Sequence, residues 1–206
     1  TAIGSSAISP RVTVGADGRI TAISSNTIPQ VYFVIIGSGG NIVGWDGATF
    51  NFAIATIGVN NGTVFVRAGD YAVQFVTVPP NVTIKFEDGA TVRNAGNNVM
   101  FTTSGTIRGL PLRISGTSTV SMIRALSGAR FFDTNNISIA FGGGAGIGVY
   151  DIINSSDVLF DRVVNADWTQ TANNGSKYII TNSTGITFRN IVYTKFSDGG
   201  GTGFSN

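Results

Sequence analysis

Cysteine and histidine are both missing from the 206 residues of this chain. Without cysteine there is neither a disulfide framework nor a thiolate metal site. Without histidine, the catalytic triads that use an imidazole and most zinc chemistry are excluded. We therefore predict neither a metal nor a cofactor for this sequence.

Charged residues and long apolar runs are also scarce. Charged residues make up 12% of the chain, about half the share in an average globular protein. The net charge is +2 and the 13 Lys and Arg residues are dispersed, so nucleic-acid binding is not predicted. The longest apolar run, Val31–Ile36, is far shorter than the ~20 residues of a membrane-spanning helix, so membrane insertion is not predicted either.

Glycine and small polar residues are abundant. The 28 Gly, together with many Asn, Ser and Thr, indicate turns and short strands, and hence an all-β fold. Hydrophobic residues at 42% are enough for a sizeable core, and the length predicts one domain with at most a small appendage. The first residue is Thr rather than Met, which favours a fragment or a processed product.

Residues 61–92 contain the clearest strand pattern. Val82–Phe86 alternates apolar and polar residues, which predicts a strand with one buried face. Thr63–Arg67 is a second strand of this kind, and glycine and proline corners separate the two. Short strands joined by tight corners are typical of a chain that winds back above itself.

A four-residue signature recurs along the chain, consisting of a small polar residue, an aliphatic residue, any residue and a large apolar residue. Spacings of roughly 20–30 residues between copies are typical of a parallel β-helix, whose coils keep their strands but vary their loops. The copies are Asn81–Ile84, Asn136–Ile139, Asp157–Phe160 and Gly185–Phe188, with a weaker one at Thr106–Ile107. We predict that Val82, Ile84, Ile137, Ile139, Val158, Phe160, Ile186 and Phe188 point inward in stacked columns.

The N-terminal segment differs from the rest of the chain. Residues 12–23 have the turn chemistry of a β-hairpin, which is too short to bury its own apolar face and needs partners. We place a boundary near residue 40, between a stem segment over residues 1–40 and a parallel β-helix over residues 41–206.

A helix is predicted after Asp46. Phe50, Ile54 and Ile57 share one of its faces, and Gly58 ends it. Such an amphipathic helix would close the N-terminal end of a β-helix, which otherwise exposes backbone edges and core.

Two stretches resemble known proteins. NGTVFVRAGDY, from residue 61, and PPNVTI, from residue 79, resemble the opening of right-handed parallel β-helices of the pectate-lyase-like superfamily, specifically its phage tail-spike members. VTVGADGRITAISS, from residue 12, resembles modules of phage tail-fibre stems. The resemblance implies a homotrimer in the phage tail that acts outside the host cell. It also implies contacts with other tail or baseplate proteins and binding of a bacterial surface polysaccharide.

Sugar-cleaving β-helices use carboxylates, and the weak candidates here are Asp133, Asp157 and Asp161. A glycosidase needs two carboxyl groups about 5–9.5 Å apart. In the alignment at an offset of 28 residues, Asp161 lies opposite Arg189 and Asp157 opposite Gly185, so no vertical carboxylate pair forms. An ion pair with Arg189 is the favoured interpretation of Asp161, and the sequence leaves enzymatic activity open.

The polar loop at residues 165–178 is the most distinctive surface stretch. It carries Trp168, Asp167 and Tyr178, residue types that stack on sugar rings and bond their hydroxyls, so these three are the predicted glycan contacts. The alternative is that Trp168 packs against a neighbouring coil or chain.

We expect a receptor-binding fragment of a phage tail spike or fibre that binds a host surface polysaccharide. One alternative is a polysaccharide depolymerase, either hydrolase or lyase. A second is a structural spacer of a viral fibre. Trimerisation is expected because a short stack whose C-terminus is a flexible glycine-rich segment, residues 199–203, lacks a cap.

Overall fold

The computed structural model describes residues 8–14, 16–17, 19–27, 32–40, 42–116, 120–141, 147–165, 168–170, 176–193, 196–197 and 204–205. In this part of the chain the protein is mostly β-strand with one helix, so the all-β prediction is confirmed. The strands are β1 Ile8–Val14, β2 Ile20–Thr27, β3 Tyr32–Ile36, β4 Gly62–Val66, β5 Gly69–Val73, β6 Val76–Val78, β7 Val82–Phe86, β8 Ala90–Asn94, β9 Phe101–Thr103, β10 Thr106–Arg108, β11 Pro111–Gly116, β12 Ile123–Ala125, β13 Arg130–Phe141, β14 Gly148–Ile153, β15 Leu159–Asn165, β16 Trp168–Gln170, β17 Ser176–Thr181, β18 Thr187–Tyr193, β19 Phe196–Ser197 and β20 Phe204–Ser205; the helix is α1 Gly47–Ile57.

β3 and the strands after α1 stack in parallel on three faces. The first face has the order β3-β4-β7-β10-β13-β15-β18, and the second contains β5-β8-β11-β13-β16-β19. The third face has the order β6-β9-β12-β14-β17-β20. Consecutive strands lie on the three faces in turn. Each circuit of the chain around the three faces therefore stacks directly on the previous one, about 4.8 Å away. We call each circuit a coil, the first being β4, β5 and β6.

The N-terminal hairpin is confirmed. β1 and β2 pair antiparallel, from Ile8 opposite Thr27 to Val14 opposite Ile20. β3 pairs in parallel with β4, so the stack begins on the N-terminal side of the boundary predicted near residue 40. The division into a stem and a separate domain remains a prediction.

Helix α1 forms as predicted and closes one end of the core. The Asp46 side chain accepts hydrogen bonds from the Thr49 hydroxyl at 2.7 Å and the Thr49 amide at 2.9 Å, and these bonds lower the pKa of Asp46. Gly58 ends the helix with a positive φ of 63°. Phe50 is fully buried and packs edge-on against Phe101 with ring centroids 6.0 Å apart. None of the described helices is long and apolar enough to span a membrane.

Asn51 of α1 hydrogen-bonds the exposed edge of β6. Its amide nitrogen donates to the Phe75 carbonyl at 2.9 Å, and its amide oxygen accepts from the Thr77 N–H at 3.2 Å. The side chain thus replaces the neighbouring strand that β6 lacks on this side, which satisfies backbone groups that a sheet edge leaves open.

The core is a set of vertical columns, and one column corrects the predicted repeat. Ile84, Ile107, Phe131, Phe160 and Phe188 lie opposite one another in successive coils. The copy predicted at residues 136–139 is wrong, because these residues lie in the second half of β13 and pair with β11 instead. The equivalent residues in that coil are 128–131, where alanine replaces the aliphatic residue.

Inward orientation is confirmed for most of the predicted core. Val82, Ile84, Val158 and Phe160 are at most 1% exposed. Ile186 and Phe188 are partly buried against the same core. The side chains of Ile137 and Ile139 lie outside the described residues.

Candidate functional site

All three predicted catalytic carboxylates are bound by arginine from a neighbouring coil. Asp133 pairs with Arg162, Asp157 with Arg130 and Asp161 with Arg189. The partners are 27 to 29 residues apart, which is one coil. The acidic residues therefore connect successive coils rather than converge in pairs.

Asp161 has the most complete set of partners. Its carboxylate accepts hydrogen bonds from Arg189 Nη2 and Asn190 Nδ2, each at 3.0 Å, and from Arg162 Nη1 at 3.4 Å. The side chain is only 7% exposed. The ion pair with Arg189 that the sequence predicted is present, and a nearly buried carboxylate held by three donors is poorly placed to contact a substrate.

Asp133 is more accessible but remains ionised. The side chain is 49% exposed, and Arg162 donates to its carboxylate through both Nε and Nη2. These hydrogen bonds hold the pKa of Asp133 below its usual value, with a further contribution from the charge of Arg108. A general acid must carry a proton near neutral pH, so Asp133 is unsuited to that role.

The predicted glycan contacts at residues 165–178 do not form a described site. Asp167 and the side chain of Trp168 lie outside the described residues, and only the backbone of Trp168, at the start of β16, is described. Tyr178 is fully buried, and its ring stacks on Tyr150 with centroids 5.1 Å apart. The assignment of Tyr178 as a glycan contact is therefore wrong, since an inward-facing tyrosine of the third face presents no ring to solvent.

A groove follows the edge between the first and second faces and encloses about 620 Å³. We call it the corner groove. Its lining combines aromatic, hydroxyl, cationic and acidic side chains around a glycine. The lining residues are Thr63, Phe65, Thr83, Lys85, Phe86, Asp88, Arg108, Gly109 and Asp133.

The backbone at this edge explains the groove. Gly109, Asp133, Arg162 and Asn190 have φ near +50 to +70° and turn the chain from the first face to the second in successive coils. Gly109 lacks the side chain that the other three carry, and a Cβ at this position would approach the Phe86 carbonyl oxygen to 3.1 Å. The missing side chain leaves an indentation beside the longer turn that carries Asp88.

The exterior of the first face supplies the groove with rings and cations. Phe65, Lys85, Arg108 and Phe132 are consecutive members of one outward column. Lys85 Nζ lies 5.6 Å from the centre of the Phe65 ring, and the Arg108 guanidinium lies 4.4 Å from that of Phe132. Rings flank the two cations on both sides along the stack.

This site was not predicted from the sequence, although a signal for it exists. Lys85 and Arg108 are 23 residues apart, the same spacing as the core residues Ile84 and Ile107. An alignment of those two coils would have placed the cations side by side. Gly105 conceals that alignment, because it occupies the position of the aliphatic residue of the signature.

Comparison with known proteins identifies no relative. No protein-family model matches the chain, and neither a curated protein nor a solved structure does. The functional assignment therefore depends on the residues of the chain and on the geometry of the corner groove.

Proposed function

We propose that this chain is a fragment of a phage tail spike or tail fibre that folds as a right-handed parallel β-helix and assembles into a homotrimer. On three faces, each strand pairs in parallel with the equivalent strand of the next coil, and this pattern supports a β-helix. Crossover connections between parallel strands are almost always right-handed, and this rule supports a right-handed β-helix. The resemblance of residues 12–25 and 61–84 to fibre stems and tail spikes supports a location in the phage tail. Other tail or baseplate proteins would be neighbours there.

The function that the groove supports best is binding of a bacterial surface polysaccharide. The corner groove carries this proposal, because it offers exposed polar and charged groups beside the rings of Phe65 and Phe132 on a rigid stack. Aromatic rings stack on the apolar faces of sugars, while hydroxyl and charged groups bond their polar edges. Sites held on regular strands need little ordering when a ligand binds.

A depolymerase is the second candidate, favoured by one observation. Asp88 and Asp133 line the same groove, and Asp88 makes no ion pair in the described part of the chain. Asp133, kept ionised by Arg162, would have to serve as nucleophile or base, and Asp88 as the acid.

Incubation of the full chain with purified capsular polysaccharides and O-antigens tests these functions together. Retention of a polymer without shortening is the expected result. Shortening that Asp88→Asn abolishes would replace binding with cleavage. If the chain retains and shortens nothing across a broad panel of surface polymers, the spacer alternative is correct. The same assay on Trp168→Ala tests whether the loop at residues 165–178 contributes.

Trimerisation has its own support and test. Large apolar side chains are exposed around the N-terminal end of the stack, including Phe33 at 59%, Phe52 at 64% and Val59 at 96%. Contact with neighbouring chains would cover them. Light scattering at micromolar concentration should give three times the chain mass of 21.4 kDa, and the mass of a single chain would refute the trimer.

A further inference from the structure

Two cationic residues are neighbours in the corner groove. Lys85 and Arg108 are directly opposite in the pairing of β7 with β10, about one strand spacing apart. Like charges directly opposite each other on neighbouring strands are destabilising. Both side chains are exposed, yet neither forms an ion pair within the described part of the chain.

The surrounding carboxylates do not neutralise this pair. The charge of Arg108 helps to lower the pKa of Asp133, but the Asp133 carboxylate is bound by Arg162. Glu87 accepts a hydrogen bond from the Ala68 amide at 3.3 Å. Asp88 lines the groove at its second-face side without reaching either cation within ion-pair distance.

Both cations contact aromatic rings that lie farther out along the column. Lys85 contacts Phe65 in the coil before it, and Arg108 contacts Phe132 in the coil after it. The two rings are three strand spacings apart, about 14 Å, so a ligand that touches both must extend along the stack. The space between the rings is bordered by positive charge.

We propose that the corner groove selects polysaccharides that carry an oxyanion substituent, a carboxylate or a phosphate, and that this group binds between Lys85 and Arg108. This inference rests on the proposed polysaccharide-binding function. The guanidinium of Arg108 can present two parallel N–H donors to either oxyanion, and Lys85 adds a compact charge. Sugar rings on both sides of the anion would then lie over Phe65 and Phe132.

Inorganic phosphate is the simplest probe, because it tests the cation pair without any sugar. Thermal unfolding of the full chain should be measured in phosphate and in chloride at the same ionic strength. Specific binding to the folded state raises the melting temperature. The matched variants are Lys85→Gln/Arg108→Gln and, as a control that removes two exposed positive charges elsewhere, Arg19→Gln/Arg113→Gln. The increase should persist in the control and disappear in the groove variant; an increase of equal size in all three proteins would overturn the proposal.

Charged and neutral polymers then show whether the groove prefers a carboxylate or a phosphate substituent. The probes are alginate, which carries carboxylates, the same alginate with its carboxyls reduced to alcohols, and a poly(glycerol phosphate). We expect at least one charged polymer to bind about tenfold or more tightly than the neutral one, as expected for one or two charge-assisted hydrogen bonds. The charged polymer that binds more tightly identifies carboxylate or phosphate as the favoured group.

The groove variant also separates this inference from the proposed function. Loss of the preference for charged polymers in Lys85→Gln/Arg108→Gln, but not in Arg19→Gln/Arg113→Gln, supports the anion site. Equal loss in both variants would mean that general charge attracts the polymer, and the proposal fails. If bacterial polysaccharide binding is unchanged in the groove variant, the anion site is wrong while the binding function stands.

Discussion

The first three coils and the last three share the same parallel architecture but have different side chains inside. In the first three, the inward residues of the first face are mainly aliphatic, such as Val64, Ile84 and Ile107. In the last three, Phe131, Phe160 and Phe188 stack in one column, with successive ring centroids 4.6 and 5.0 Å apart. In this column, the aromatic half has ring–ring stacking where the first three coils have aliphatic contacts.

The exteriors of the first face differ in the same two halves. The last coils carry a network of Asp and Arg around Asp161, in which charges of opposite sign satisfy one another. In the described part of the chain, the earlier coils carry Lys85 and Arg108 without ion-pair partners, beside the half-buried rings of Phe65 and Phe132. Charge in one half holds coils together, whereas charge in the other half remains accessible to a ligand.

Removal of the Phe160 ring, in the middle of the aromatic column, should lower stability more than any other substitution considered. Phe160 is fully buried between Phe131 and Phe188. We expect Phe160→Ala to lower the free energy of unfolding by about 3–5 kcal/mol, because it leaves a cavity in the stack. Chemical denaturation monitored by circular dichroism measures the change.

An exposed position on the neighbouring strand provides the control. Thr187 lies opposite Leu159 on the outside of the first face, so Thr187→Ala should change stability by less than about 0.5 kcal/mol. Similar losses for Phe160→Ala and Thr187→Ala would show that the inner and outer sides of the strand are reversed.

The aromatic half also contains a buried lysine whose protonation opposes folding. Lys177 is 1% exposed, and burial lowers its pKa to about 6. An unfolded chain keeps this proton up to its ordinary pKa near ~10.4, so the unfolded state holds more protons between these values. The free energy of unfolding should therefore rise with pH from about 6 to 10.

Lys177→Met should remove much of that pH dependence. It should also raise the stability at pH 7 by about 1–4 kcal/mol, because folding must deprotonate and bury the lysine amine, whereas methionine carries no such group. Denaturation curves at pH 6, 7.5 and 9 for both proteins provide the comparison. A parallel rise with pH in the variant would show that another group titrates.

The charge network should contribute less than the aromatic column. Asp161→Asn weakens three hydrogen bonds to a nearly buried carboxylate, and we expect a loss of about 1–3 kcal/mol. Asp133→Asn affects a half-exposed pair, so its loss should stay below about 1 kcal/mol. Denaturation at low and high salt distinguishes them, because screening should reduce the effect at Asp133 more. A larger loss at Asp133 would contradict this order.

Local signals and regular spacing made much of the fold predictable. Asp46 and Gly58 mark the ends of the helix by capping chemistry that acts within a few residues, and the structure has both caps. The contact between Asp161 and Arg189 follows from two coils of equal length. Both predictions required no knowledge of distant structure.

The prediction failed where coil length or composition changes. Gly105 and Ala129 occupy the aliphatic position of the signature in two coils, so the pattern pointed to residues 136–139 instead. The corner groove depends on Lys85 and Arg108 becoming neighbours and on Gly109 lacking a side chain, and neither is visible until the coils are aligned. Tyr178 was misassigned because β17 begins at Ser176, within the polar stretch, and directs Tyr178 into the core.

The hydrogen bonds of Asn51 have a consequence for association between molecules. An extended segment of a second molecule that joined β6 would compete for the Thr77 amide and the Phe75 carbonyl, and Asn51 already binds both. Edge-to-edge polymerisation is thereby blocked at this strand without any charged gatekeeper. Asn51→Ala would release one donor and one acceptor together, so we expect this variant to associate through the edge of β6 more readily than the parent chain.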